Sequence, residues 1–135
     1  MRLRAAFARD DRGAGAAEFA LVLPGLLFLI FGTINLFFIV YAAVNLHSAT
    51  EAAARYASVT TAGGGSPTQT TVNAFGVSHY VGPDVGQAFT YTAPTAFTGG
   101  CTATTGYHVA ATGAYRMYYG FGFQNITLNA SACFP

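Results

Sequence analysis

From Phe19 to Thr50 the chain runs for 32 residues without an aspartate, glutamate, lysine or arginine. An α-helix crosses the hydrocarbon core of a bilayer with about 20 apolar residues, so this stretch is long enough to span one. A cleaved secretory signal has a shorter apolar region, about 7–15 residues, closed by a small-residue cut site. The run exceeds that length, and no such site ends it. In lipid a single segment satisfies its own backbone polar groups as a helix, which sets the conformation expected here. With 135 residues in all, the remainder leaves room for one small domain.

Charge gives the run a direction. Arg2, Arg4, Arg9 and Arg12 precede it, Arg55 and Arg116 follow it, and the chain has no lysine. Positive residues flanking a first membrane segment stay cytoplasmic, so the N-terminus is expected inside and residues after about 50 outside. Charged residues make up 8% of the chain, far below the usual share of about 25%. The net charge of +1 excludes the basic patch that nucleic-acid binding needs. Cys101 and Cys133 both fall in the outside portion. In that oxidising compartment a disulfide between them is expected, with two buried free thiols as the other reading. The bridge would close a loop of about 33 residues and stabilise the fold by roughly 3–4 kcal/mol on the loop-entropy model.

Four segments follow from composition. Residues 1–13 are short and basic, a leader and not folded structure. Residues 14–59 form one long helix that continues past the membrane through the alanine-rich Ser48–Ala57. Glu51 and Arg55 stand there at i and i+4 in the favoured order. Pro24 removes one backbone bond inside the helix, so a kink or local unwinding is expected there, and Gly25 and Gly32 weaken it further. Residues 60–68, TTAGGGSPT, stop the helix and read as a linker. Residues 69–135 form a head. In it, Thr68 can cap a second short helix with Val72, Phe75 and His79 on one face, ended by Gly82-Pro83.

Strand patterns then take over. Ala88 to Thr92 alternates. Gly106 to Tyr119 sets Tyr107, Val109, Ala111, Gly113, Tyr115, Met117 and Tyr119 on one face. Gly120 to Phe123 reads as a turn, and Asn125 to Ala132 as a last strand with Ile126, Leu128, Ala130 and Ala132 on one side. The predicted class is α+β: a long N-terminal transmembrane α-helix with a small antiparallel β-sheet head of about three or four strands. Beyond Tyr56 only Asp84 and Arg116 carry charge, and a neutral Thr- and Tyr-rich surface suits packing against other subunits.

Nothing in the chain's motifs points to catalysis. His47, His79 and His108 lack metal-type spacing. Ser78-His79 and Asp84 match no nucleophile elbow or triad order, and the linker glycines match no phosphate-binding loop. No enzyme activity, cofactor or metal is expected. The aromatic stretch Tyr115 to Phe123 reads equally as a subunit interface or as hairpin packing. Asn35 and Asn45 are polar positions in the apolar run that could bond across helices of a bundle.

The mouth of the run is unusual. Glu18 sits five residues after Gly13, directly before Phe19, and a carboxylate entering lipid costs free energy unless it is paired. Gly13, Ala14, Gly15, Ala16, Ala17, Glu18, Phe19 and then Ala20-Leu21-Val22-Leu23-Pro24 resemble the TadE-like family, the minor pseudopilins of Flp (tight-adherence) pili, which are type IV pilin-like. The strand at Val109–Tyr119 and the following ITLNASA fit in outline. The family's Arg-Pro-Glu-like tail is replaced here by Cys-Phe-Pro.

The resemblance implies cleavage between Gly13 and Ala14 by a prepilin peptidase. The new Ala14 amine then stands one helical turn from Glu18, and the two, with Phe19 and Pro24, set register as the helix leaves lipid for a filament. Other pilins and minor pseudopilins, the inner-membrane assembly machinery and membrane lipid are the implied partners. The implied location is the inner membrane, then a cell-surface adhesive pilus. The alternatives are a permanent single-pass membrane protein with an extracytoplasmic partner-binding domain, and a Glu18 that snorkels into water.

Overall fold

The computed structural model describes residues 14–93, 106–118 and 122–134. The chain opens with α1 (Ala14–Ala62), followed by α2 (Gln69–His79), β1 (Ala88–Thr92), β2 (Tyr107–Tyr118) and β3 (Phe123–Phe134). The protein is α+β: a long apolar N-terminal helix and a three-stranded antiparallel sheet in the order β1-β2-β3. It divides between Leu36 and Phe37 into two compact units.

In the first unit the described residues are all α1. Its large apolar side chains point outward on every side, with Leu21 82% and Leu29 64% exposed. Pro24 lies inside the helix without interrupting it, although it withholds one backbone donor. The polar side chains are satisfied by their own helix. Thr33 Oγ1 donates to the carbonyls of Leu29 and Ile30, and Asn35 Nδ2 donates to the Phe31 carbonyl at 2.9 Å. Such back-bonding lets a hydroxyl or amide ride on an apolar helix without an orphaned donor.

In the second unit α1 changes character. Ala42, Leu46, Ala49, Ala53 and Ala57 recur every three or four residues and are all buried, a stripe on one helix face. They join Val72 of α2, Val85, Phe89 of β1, Val109 and Ala111 of β2, and Leu128 of β3 in one core. Methyl-sized side chains keep the helix face flat, so bulk comes from the sheet and α2. Buried Thr50 loses no hydrogen bond, because its hydroxyl donates to the Leu46 carbonyl at 2.6 Å.

The end of α1 shows why the helix outlasts its alanines. Thr60 and Thr61 donate to the carbonyls of Tyr56 and Ala57, carrying the helix to Ala62, three residues past the boundary expected from composition. Gly64 then takes the left-handed conformation, φ +80°, which glycine adopts without a Cβ clash. Gly64 N–H reaches the Thr61 carbonyl and Gly65 N–H the Thr60 carbonyl, both at 2.9 Å, the paired bonds of a Schellman cap. The glycines of the expected linker thus terminate the helix.

Thr68 begins α2 as a capping box with Thr71, satisfying donors that a helix start leaves unpaired. A Cβ at Gly76 would lie 2.6 Å from the Phe89 ring, so glycine is what lets β1 pack directly against α2. Along β2 and β3 the register runs unbroken from Tyr107↔Phe134 to Tyr118↔Phe123. β3 starts two residues before the strand read from the sequence, so Phe123 is strand and not turn.

Candidate functional site

Of the residues expected to act, Ala14, Glu18, Phe19 and Pro24 lie on α1, while Gly13 lies outside the described residues. Ala14 opens the helix and Glu18 follows four residues later, one turn along the same face. Glu18 is exposed, and Phe19 and Val22 next to it are 62% and 65% exposed. A carboxylate thus heads a helical stretch, Phe19 to Val40, that is uncharged and exposes large apolar side chains on all sides. A Cβ on Gly15, Gly25 or Gly32 would meet nothing within 4 Å, so these glycines leave shallow, unfilled notches in that surface. α1 is long and apolar enough to cross a membrane, and its most apolar window is 6% buried. A core helix of that composition would be mostly buried, whereas among the described residues nothing covers this surface.

The second unit offers several polar and aromatic groupings. Phe75 is sandwiched, its ring 4.3 Å from Tyr56 and 3.9 Å from His79, both nearly parallel. The Tyr56 stack ties α2 to the end of α1, while the His79 stack lies within α2. At the far end of the sheet Arg116 stands 4.2 Å over the Phe123 ring, with Tyr118 at 5.1 Å from the same ring. The expected Glu51–Arg55 pair is not formed. Glu51 instead meets His47 Nε2 at 3.3 Å, one turn earlier, and both side chains are well exposed. A groove on this unit is lined by Glu51 and Arg55 of α1 and by Ser131 to Phe134 of β3.

The chemistry these groups can perform is limited. Ser78 Oγ lies 3.2 Å from His79 Nδ1, but it donates to the Phe75 carbonyl at 2.8 Å. Asp84 accepts the Gly86 N–H and caps a turn, so it does not orient His79. Among the described residues no cluster of three histidine, cysteine or acidic groups could hold a metal. Burial, then Asp84 and Tyr41, push the Tyr80 hydroxyl above its ordinary pKa, and it donates to the Pro83 carbonyl. Burial and then Tyr107 raise Tyr91. Burial lowers His108. These are marks of packing, not of a poised acid or base. Cys133 sits on the outer face of β3 opposite His108; Cys101 lies outside the described residues.

Sequence reasoning missed one arrangement. Gln69 and Asn73 of α2 bond the outer side of β1 through Phe89 and Tyr91. The available signal was two amides at i and i+4 on a helix that precedes a strand.

Residues 13–55 match the family of TadE-like proteins. This stretch is TadE-like. It covers about a third of the chain and contains Gly13, Glu18, Phe19, Pro24 and most of α1, so the match rests on the apolar helix and its mouth, not on the sheet. TadE-like pilus proteins are structural proteins of the Tad pilus, and a long apolar helix fits a membrane-anchored member. No curated protein and no solved structure matches the chain.

Proposed function

We propose that the protein is a minor pseudopilin, non-enzymatic, that acts in assembly, priming or tip formation of an Flp-type adhesive pilus. The observation that carries this reading is the mouth of α1: one exposed carboxylate, Glu18, one turn after Ala14, at the head of an uncharged, exposed apolar stretch that runs to Val40.

The mechanism has three steps. The precursor is held in the inner membrane by α1, N-terminus inside. A prepilin peptidase then cuts between Gly13 and Ala14, where a residue without a Cβ enters a narrow site in extended form. The new Ala14 ammonium and Glu18, on the same chain or on adjacent subunits, become partners as α1 moves from lipid into a bundle of sister helices. The move changes hydrophobic free energy little, because lipid tails are as apolar as the side chains that replace them. Pairing of a desolvated charge therefore decides register. Losing one partner of a buried pair costs about 3–5 kcal/mol. A Cys101–Cys133 disulfide would tie the head outside the cytoplasm.

Glu18→Ala tests the register role. The variant is expected to be cut and to remain in the membrane, yet to be lost from sheared surface filaments. A Glu18→Ala chain recovered in filaments at the parental level would overturn that role.

A further inference from the structure

The chain treats the two edges of its sheet differently. β1 is short, and α2 seals its outer side. Asn73 Oδ1 accepts the Phe89 N–H at 2.9 Å, Gln69 Nε2 donates to the Phe89 carbonyl, and Gln69 Oε1 accepts the Tyr91 N–H at 2.7 Å. Since Phe89 and Tyr91 aim their backbone groups at α2, Ala88, Thr90 and Thr92 aim theirs at β2. The register carries this alternation across the sheet. Even-numbered residues of β2 face β1, as the Ala114 N–H to Val85 carbonyl bond at 2.8 Å also shows. Odd-numbered residues of β2 face β3, where they pair with even-numbered residues.

The odd-numbered residues of β3 therefore point their N–H and C=O groups away from the sheet. Asn125, Thr127, Asn129 and Ser131 are all exposed, and among the described residues these outward groups meet no backbone partner. Natural edges are blunted by charge, proline, bulges or short length. β3 is 12 residues long and holds no charged residue, proline or glycine, and its unbroken register leaves no bulge. One edge is sealed by two dedicated amides, and among the described residues the other is left open from Asn125 to Ser131.

We propose that the β3 edge is the docking site for an extended strand of a different subunit, uncharged and alternating small polar with apolar side chains. This rests on the pilus reading above. A row of identical chains would need β3 of one to meet β1 of the next, and α2 occupies that edge. A two-fold pairing of β3 with β3 turns about the sheet normal, which runs residues 37–62 of the two α1 helices in opposite directions. Copies in one polar filament are related by rotation and rise along its axis, which makes head-to-tail contacts and not a self-paired edge. The partner's chemistry follows from the two faces of β3. Asn125, Thr127 and Asn129 line one face, and Ile126, Leu128 and Ala130 the other, so an alternating strand continues both. A charged strand would meet no counter-charge on β3 itself, and Glu51 and Arg55 of α1 stand only beside its last residues, Ser131 to Phe134. Backbone bonds give such a strand its affinity and the alternating side chains its specificity.

The test compares the full-length chain in detergent micelles with the same chain in sheared filaments by residue-resolved amide hydrogen exchange. The N–H groups of Asn125, Thr127, Asn129 and Ser131 are expected to slow by roughly tenfold or more in filaments, while the even-numbered ones, already paired, change little. A photo-crosslinking residue at Asn129 should mark positions two apart in a different subunit. Thr127→Pro removes one outward donor without touching the β2 pairing, and Thr127→Lys charges the edge; each should fold and lose that adduct.

Unchanged exchange at the odd positions, an adduct to another copy of this chain, or variants that keep the adduct would overturn the proposal. A chain cut at Gly13 and present in filaments with an unprotected edge defeats this inference alone. A chain neither cut nor found in filaments defeats the pilus reading and takes this inference with it.

Discussion

α1 is one helix with two surfaces. Around Phe19 to Val40 the side chains are large, apolar and exposed on every side; from Ala42 to Ala57 they are small and buried on one face. On the opposite side of the second stretch lie His47, Ser48, Glu51 and Arg55. Both stretches are mostly apolar, yet they meet different demands. The second needs only one covered face, and the chain's own sheet supplies it. The first is a continuous apolar surface far larger than a soluble chain leaves exposed, and such patches mark a membrane or a protein partner. Composition alone does not separate the two; side-chain size and its angular distribution do.

The sharpest way to break this comparison is to place the same charge in each stretch. Leu29→Arg is expected to cost about 2.5–3.5 kcal/mol of membrane insertion, seen as loss from the carbonate-resistant membrane fraction. Val59→Arg, at a position already exposed, is expected to leave retention unchanged. Equal behaviour of the two variants would remove the distinction.

A size change probes the second stretch in the other direction. Ala53 is fully buried, so Ala53→Leu is expected to destabilise the folded head by about 1–3 kcal/mol through overpacking. Ala20→Leu, on the exposed stretch, should leave the thermal midpoint where it was.

The smallest effect concerns pH. Burial holds His108 below its ordinary value of 6.5. The unfolded chain therefore takes up a proton that the folded chain resists, and stability falls as pH drops below that value. The thermal midpoint is expected to decline from pH 7.5 to 5.5, with a shallower decline in His108→Gln.

Much of the architecture can be read from local pattern. The alternation of Val109, Ala111 and Gly113 against Thr112 and Ala114 announces a half-buried strand, and the spacing of Val72, Phe75 and His79 announces the face of α2. What escapes a reading by residue type depends on partners distant in sequence or on competing local bonds. Thr60 and Thr61 are poor helix formers, yet their hydroxyls bond back to the preceding turn and extend α1. Glu51 had two neighbours one turn away, and His47 takes it where Arg55 was expected. The sealing of β1 by Gln69 and Asn73 exists only once α2 lies against that strand. The likeness to TadE-like proteins was legible because its pattern is local: one glycine, four small residues, one acid and one aromatic in sequence, before an uncharged run.

The central claim is that this mouth is a cut-and-register signal for pilus assembly. Intact mass of the mature chain, with and without the prepilin peptidase, tests it most directly, together with a Gly13→Trp variant. The account expects loss of residues 1–13 that requires both the peptidase and Gly13. A chain that keeps residues 1–13 in the presence of active peptidase would contradict it.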